Sequence, residues 1–84
     1  AERTYQRAIA AQPRYAASHI ALGSYLLNRG RSSEAIRHYE QAAELAPDNP
    51  DAFNNLAIAF ILSGDFERAG RALERSIALE PRRG

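Results

Sequence analysis

Residues 44–60, ELAPDNPDAFNNLAIAF, contain the signals that decide the fold. Good helix formers run up to Pro47, and a second helical segment starts at Pro50. Proline forces the residue before it out of helical geometry, but at the first position of a helix its missing amide proton costs nothing. Residues 47–50 therefore predict a turn between two antiparallel helices. Their PxxP spacing also matches ligands of aromatic grooves, although an isolated match in a helix connection is a weak signal.

The prolines also reveal an internal repeat. Pro13, Pro47 and Pro81 are 34 residues apart, twice. The same shift aligns further pairs of identical residues: Leu22 with Leu56, Gly30 with Gly64, Ala35 with Ala69, and Leu45 with Leu79. The opening segment joins the series through Ala1, Tyr5 and Ala8. A phased series at this period indicates a solenoid of stacked helix pairs.

Each full repeat is predicted to contain two helices. The first helices cover residues 16–28 and 50–63, and the second helices cover residues 33–46 and 66–80. Gly30 and Gly64 should end the first helices, because glycine adopts the left-handed conformation without steric cost. We expect the helix starts to be capped by short polar side chains at Ser32, Asn49 and Asp65.

These signals divide the chain into three parts of one continuous solenoid. Residues 1–13 form the second helix of a truncated repeat, residues 14–49 the first full repeat, and residues 50–84 the second full repeat with a short basic tail. No polar capping helix follows, so we expect a segment of a longer array. Its exposed apolar end, around Leu73 and Ile77, would favour self-association.

The aligned residues resemble the tetratricopeptide repeat (TPR) family over essentially the whole chain. The family pattern places a large residue, a leucine–small pair and an aromatic or large apolar residue in the first helix. The second helix carries alanine, an aromatic residue, a small residue and a closing proline. The second full repeat matches with Phe53, Leu56, Ala57, Phe60, Ala69, Leu73, Ser76 and Pro81. The first matches with His19, Leu22, Gly23, Leu26, Ala35, Tyr39, Ala42 and Pro47. The resemblance implies an all-α, right-handed solenoid of antiparallel helix pairs.

Small and large residues alternate as close helix packing requires. Gly23 and Ala57 lie where a larger side chain would overpack the contact between two helices. The expected core residues that fill the volume between helices are Leu22, Tyr39, Phe53, Leu56, Phe60 and Leu73. The sequence departs from the family pattern at His19, Ser32 and Gly70, so we expect the first full repeat to be looser than the second.

The resemblance implies a concave groove lined by the first helices, which is the family's usual peptide-binding surface. Helical phase assigns to it Ile20, Ser24, Leu27, Asp51, Asn54, Asn55, Ile58 and Leu62. In TPR proteins an asparagine at the position of Asn55 often holds the ligand backbone, since an amide both donates and accepts hydrogen bonds. The alternative is that Asn55 solvates the helix surface or supports the turn.

The apolar part of the groove favours a protein partner. Ile20, Leu27, Ile58 and Leu62 form a stripe suited to an amphipathic helix or an apolar peptide segment, unless neighbouring repeats cover it. The stripe carries no basic residue, which argues against a clamp for a partner's C-terminal carboxylate. The alternative function is a structural spacer or self-association segment of a larger TPR-containing protein. An enzyme or regulator with its active domain elsewhere is one option for that larger protein.

Composition excludes several other classes of protein. The net charge is +1, which argues against nucleic acid. The longest apolar run, residues 56–62, is too short to span a bilayer, so we expect no membrane contact.

The absence of cysteine leaves the cellular compartment open. We favour the cytoplasm, with the periplasm as the alternative. All basic residues are arginine and alanine is abundant, as in a GC-rich bacterial genome.

The sequence lacks the patterns of an active site. His19 is expected to pack in an aromatic position and His38 to lie on a helix surface, with Glu34 able to pair with it. No serine has a histidine–carboxylate arrangement, and no glycine-rich phosphate loop is present. We therefore predict no enzyme activity, metal or cofactor for this segment.

The 34-residue shift also aligns three arginines, Arg3, Arg37 and Arg71. We interpret them as solvated charges or, alternatively, as contacts to an anionic partner.

Overall fold

The computed structural model describes residues 2–79. This part of the chain forms five α-helices and no strand: α1 (Glu2–Ala11), α2 (Ala16–Asn28), α3 (Ser32–Leu45), α4 (Pro50–Ser63) and α5 (Phe66–Leu79). The all-α solenoid predicted from the repeat is thereby confirmed. The helices pack into an elongated body of 37 × 25 × 17 Å, as stacking along one axis requires.

The first helices of the two repeats have the predicted bounds. Helix α3 is displaced by one residue from the prediction, since it starts at Ser32 and ends at Leu45. Before Pro47, Ala46 leaves helical geometry at φ −136° and ψ 72°, as expected for a residue that precedes proline. The predicted end of α5, Glu80, and the closing Pro81 lie outside the described residues.

Short polar side chains and glycines delimit the helices. The Asn49 carboxamide oxygen accepts a hydrogen bond from the Asp51 amide at 2.9 Å, and Pro50 occupies the first helical position of α4. Asp65 accepts from the Arg68 amide at 3.2 Å at the start of α5. Gly30 and Gly64 have φ of 79° and 88°, so both take the left-handed conformation that ends α2 and α4.

The predicted cap at Ser32 is wrong. Arg31 precedes α3 and makes no side-chain cap, and Ser32 is already the first helical residue. The Arg31 guanidinium instead binds both carboxylate oxygens of Glu34, at 2.7 and 2.8 Å, and Glu2 of α1 at 3.0 Å. This fork of charged hydrogen bonds joins α1 to the start of α3.

The helices pack as antiparallel hairpins that contact their neighbours. Helix α2 pairs with α3, and α4 pairs with α5, while α3 and α4 join the two hairpins. Helix α1 lies against α2, where the Tyr5 and Tyr25 rings meet at 5.6 Å. None of the α1 side chains is fully buried, so α1 is the least embedded helix described.

The core confirms the predicted packing of small against large residues. Leu22, Leu26 and Tyr39 are the largest fully buried side chains. A Cβ atom on Gly23 would stand 2.7 Å from Tyr39 Cε1, so only glycine allows α2 and α3 this separation. His19 is buried in the position expected for an aromatic residue.

The second repeat has the exposed apolar end that the sequence predicted around Leu73 and Ile77, which are 37% and 69% exposed. Leu73 was also assigned to the core, and Phe53, another expected core residue, is only partly buried. The reason is that α5 packs on α4 alone, so one side of it meets no further helix among residues 2–79. Within those residues no helix combines the length and the apolar character needed to cross a membrane.

Candidate binding groove

A groove runs between the first helices of the two repeats. It contains a cavity of about 430 Å³ at the N-terminal halves of α2 and α4. The small and aliphatic wall comes from α2, and the polar wall from the start of α4 and the residue before it. The lining residues are Ala17, Ile20, Ala21, Asn49, Asp51, Asn54 and Asn55. One side of the groove is therefore apolar, and the other carries amides and one carboxylate.

The amides reach the groove because of their phase on α4. At about 100° per residue, Asn54 and Asn55 point away from the buried residues Leu56 and Phe60. Asn54 is exposed and Asn55 is half-buried. Among residues 2–79 neither side chain has a hydrogen-bond partner within the protein, which leaves both amides available to a ligand.

Four of the eight predicted groove residues line this cavity: Ile20, Asp51, Asn54 and Asn55. Ile58 and Leu62 follow further along the same face of α4 and are 42% and 63% exposed. They extend the groove as an apolar surface beyond the cavity. Asn49, which sequence reasoning assigned only to capping, is an additional lining residue.

The remaining two predicted groove residues have contacts inside the α2–α3 hairpin. The Ser24 hydroxyl shares a hydrogen bond with the Tyr39 hydroxyl at 2.9 Å. Burial raises the pKa of Tyr39, so this phenol stays neutral. Leu27 is half-buried and packs against the main core cluster. The structure thus places Ser24 and Leu27 partly below the groove surface.

The two histidines form a contact that sequence reasoning missed. His38 was predicted on the helix surface, but its ring is half-buried and lies against His19 with centroids 5.6 Å apart. The Nδ1 atoms are 3.4 Å apart, and His19 Nε2 lies 2.9 Å from the Pro13 carbonyl oxygen. A carbonyl only accepts, so His19 Nε2 donates to it, and in neutral His19 Nδ1 is the acceptor for His38.

The surroundings of His38 differ from the sequence prediction. Glu34 binds Arg31, and the predicted Glu34–His38 pairing is not formed. Burial, together with the nearby His19 ring, lowers the pKa of His38. No three histidine, aspartate or glutamate side chains between Glu2 and Leu79 are grouped so as to hold a metal ion.

Comparison with known proteins identifies the family. A family model described as "Tetratricopeptide repeat" matches residues 1–50 and again residues 20–83. The chain belongs to the tetratricopeptide repeat family. The two matches together cover residues 1–83, and the groove described above lies between the first helices of consecutive TPR units.

Curated proteins with similar sequences are much longer than this chain. It is 31% identical over 83 residues to the Homo sapiens protein O-mannosyl-transferase TMTC3, covering 98% of the chain and 9% of that protein. It is 35% identical over 60 residues to the Aspergillus fumigatus heat-shock protein cognate co-chaperone sgt12, covering 71% of the chain and 18% of that protein. The similarity is therefore confined to a small TPR portion of each relative.

Solved TPR structures reproduce the helix arrangement. The chain superposes on MamA with a TM-score of 0.90 at 25% identity, covering 95% of this chain and 47% of MamA. It superposes on YrrB, described as a TPR protein with an unusual peptide-binding site, with a TM-score of 0.87 at 25% identity. That match covers 94% of this chain and 41% of YrrB. The chain thus spans less than half of either structure.

Proposed function

We propose that this TPR segment is a protein-interaction scaffold that binds a peptide or helix in the groove between α2 and α4. The observation that carries the proposal is the cavity of about 430 Å³ with amides on one wall and aliphatic side chains on the other. Such a surface suits an extended or helical segment, whose backbone needs hydrogen bonds and whose side chains need apolar contacts. The YrrB description supports peptide binding for the fold.

Asn55 is the residue we assign to the ligand backbone. Its carboxamide donates two protons and accepts through one oxygen, so it can pair with both the N–H and the C=O of a bound peptide. Asn54 plays a secondary role at the exposed rim. Ile20 contacts the apolar side chains of the ligand, and Ile58 and Leu62 continue that contact along α4.

The charge of the groove selects among peptides. Asp51 lines the cavity, and no arginine does. A free C-terminal carboxylate would therefore meet repulsion, whereas an internal peptide segment would not. We propose no catalytic role for this segment, because no residue that lines the cavity offers the Asp51 carboxylate a hydroxyl, thiol or imidazole partner.

The test is the affinity of Asn55→Ala. Peptides selected on the wild-type chain from a phage-displayed random library serve as probes, and their dissociation constants are measured by fluorescence anisotropy. Loss of one or two hydrogen bonds should weaken binding by about tenfold and leave the melting temperature unchanged. The matched control is Gln41→Ala, which removes an exposed carboxamide from α3, a helix that does not line the groove. Equal affinity of Asn55→Ala and wild type would remove the assigned role.

A second candidate function is self-association, favoured by the apolar side chains that α5 exposes. Phe66 and Ile77 are each 69% exposed, and Leu73 is 37% exposed. Exposed apolar groups of this size favour contact with another protein surface. Sedimentation velocity across a concentration series tests this function: a mass that rises with concentration supports it, and a strict monomer at the highest concentration excludes it.

A further inference from the structure

A second channel lies on the other side of α4 from the groove. Helix α4 packs against both α3 and α5, but the backbones of α3 and α5 do not approach each other in the described chain. Between them is a cavity of about 240 Å³, which we name the outer pocket. Its floor is Phe53, Leu56 and Phe60 of α4, whose side chains point nearly opposite to Asn54 and Asn55.

The outer pocket is a product of the repeat. A second cavity of about 230 Å³ occurs one period earlier, lined by His19, Glu34, Arg37, His38 and Gln41. A shift of 34 residues converts this lining into Phe53, Arg68, Arg71, Ala72 and Arg75, all of which line the outer pocket. The solenoid therefore forms the same cavity twice, once with the histidine pair and once with aromatic rings and arginines.

Three arginines of α5 line one wall of the outer pocket. Arg68, Arg71 and Arg75 recur at spacings of three and four, which places them on one face of the helix. The Arg75 guanidinium carbon lies 5.6 Å from the centre of the Phe53 ring, and that of Arg68 lies 5.9 Å from the centre of Phe60. These cation–π contacts hold two of the positive groups over an apolar floor.

The positive charge of this face is only partly neutralised. Arg68 lies 3.4 Å from Asp65, and Arg71 lies 3.6 Å from Glu67 in a pair whose side chains are 75% and 80% exposed. No carboxylate among residues 2–79 lies within ion-pair distance of Arg75. Such exposed pairs are weak, so an incoming carboxylate can compete for the guanidinium groups.

We propose that the outer pocket binds a partner-protein segment in which one apolar side chain is flanked by carboxylates. The apolar side chain fits the floor of Phe53, Leu56 and Phe60, and the carboxylates bind Arg71 and Arg75. A volume of about 240 Å³ suits a single side chain and is below the roughly 300–1,000 Å³ of small-molecule sites. This surface is separate from the groove and does not depend on the proposed function.

Charge distinguishes a peptide from a nucleic acid as the occupant. Glu40 of α3 forms part of the wall opposite the arginines. A continuous phosphate backbone along the channel would meet its carboxylate, whereas a peptide can place carboxylates toward α5 alone. The net charge of +1 also gives the chain no general attraction for polyanions.

The test uses a designed peptide and a pair of variants. The probe is a fluorescein-labelled helical peptide with one phenylalanine and glutamates four residues before and after it. Its binding is measured by anisotropy with wild type, with the double variant Arg71→Gln/Arg75→Gln, and with Arg7→Gln. Arg7 is an exposed arginine of α1 and is the matched control. The single variant Arg71→Gln, which leaves both cation–π contacts in place, covers the case in which the double variant unfolds.

We expect the three protein variants to differ in affinity for the peptide. The double variant weakens binding by at least about tenfold, Arg71→Gln weakens it several-fold, and Arg7→Gln leaves it unchanged. Replacing the peptide phenylalanine by alanine or its glutamates by lysines abolishes binding. Absence of binding to wild type, equal binding by the double variant, or tighter binding of a single-stranded oligonucleotide would each overturn the proposal. A loss of binding in Asn55→Ala alone would also overturn it and would point to the groove instead.

Discussion

Gly23 determines how closely α2 and α3 approach. The missing side chain leaves room for the ring of Tyr39, which is 1% exposed and is fixed at its hydroxyl by Ser24. Gly70 has the opposite environment, because a Cβ atom there would meet no atom within 4 Å. Close packing requires a glycine at position 23 but not at position 70. A change from glycine to alanine should therefore have opposite effects on stability at the two positions.

We predict that Gly23→Ala lowers stability by about 1–2 kcal/mol, since overpacking exceeds the gain in helix propensity. Gly70→Ala should raise stability by about 0.5–1 kcal/mol, because alanine loses less backbone entropy in a helix. Urea unfolding followed by circular dichroism measures both. A stabilised Gly23→Ala variant would show that Tyr39 moves aside at little cost.

The histidine pair predicts a dependence of stability on pH. The pKa of His38 is lower in the folded chain than in the unfolded chain, so the unfolded chain binds more protons below the ordinary pKa of about 6.5. Stability is thus fully present above about pH 6.5 and falls as the pH drops below it, until the folded-state pKa is passed. Besides His19, Arg37 disfavours the imidazolium, and Glu34 and Glu2 oppose the shift.

The variant His38→Ala tests this dependence, since alanine is the residue that the next repeat has at Ala72. Urea midpoints are compared at pH 7.5 and pH 5.5. We expect a fall in the midpoint for the wild type and a clearly smaller fall for His38→Ala. Equal falls in the two proteins would assign the pH dependence to other groups.

The residue scale also shows where sequence reasoning succeeded and where it did not. The role of Gly23 was predictable, because a small residue beside a buried leucine in a helical repeat allows two helices to pack closely. The His19–His38 contact was not, because it depends on how α2 and α3 are rotated against each other. Aligning the repeats at a period of 34 residues does not reveal how α2 is rotated against α3. The sequence signal for the contact was that His19 stands where the family pattern has an aromatic residue.

At the scale of the elements, capping decides where helices begin. Asn49 accepts a hydrogen bond from the Asp51 amide and precedes a proline that fits the first helical position. Ser32 was predicted to act in the same way, but the helix already includes it. The Arg31–Glu34 fork and the left-handed Gly30 start α3 one residue earlier than a serine cap would.

We predict that Asn49→Ala lowers the free energy of unfolding by about 1 kcal/mol, because an amide at the start of α4 loses its acceptor. The variant Ser32→Ala is the matched control and should change it by less than about 0.5 kcal/mol. Chemical denaturation measures both. A larger loss in Ser32→Ala than in Asn49→Ala would contradict the observed start of α3.

Helix bounds were more predictable than contacts between helices. The bounds depend on local signals, such as Pro50, Gly64 and Asn49, that act within a few residues. The exposure of Leu73 depends instead on what packs against α5, and the sequence pattern placed Leu73 both in the core, by analogy with Tyr39, and at the exposed apolar end. The analogy with Tyr39 failed because Tyr39 is covered by its neighbours, whereas within residues 2–79 α5 packs on α4 alone.

At the scale of the whole molecule, stability comes from contacts between neighbouring helices. Helix α1 contacts α2 and has no fully buried side chain, so it only adds the partly buried Tyr5 and Ile9 to the core cluster that α2 to α5 share. In such an array the end unit opens without the rest. The Arg31–Glu2 bond and the Tyr5–Tyr25 contact are the specific features that hold α1 in place.

We predict that the amides of α1 exchange with solvent at a lower opening free energy than those of α2 to α4. Native-state hydrogen exchange followed by NMR measures this for each amide. Tyr5→Ala should increase exchange further in α1 and leave α4 unchanged. Uniform protection from α1 to α4 would instead indicate that the described chain opens as one cooperative unit.

The groove and the outer pocket differ in how well they could be predicted from the sequence. Part of the groove was predictable from helical periodicity, which placed Ile20, Asp51, Asn54 and Asn55 on one side of their helices. The outer pocket was not, although Arg71 had been assigned either to solvent or to an anionic partner. Its existence depends on the gap between α3 and α5, which is a property of the stacked array and of no single helix.

That gap has a mechanical consequence. Because α4 is the one helix within residues 2–79 whose backbone contacts both α3 and α5, a change in the tilt of one hairpin against the other is a bend about α4. The two recesses lie on opposite flanks of this axis, so bending that widens one compresses the other. We therefore expect a ligand bound in the groove to lower the affinity of the outer pocket for its ligand, and the reverse.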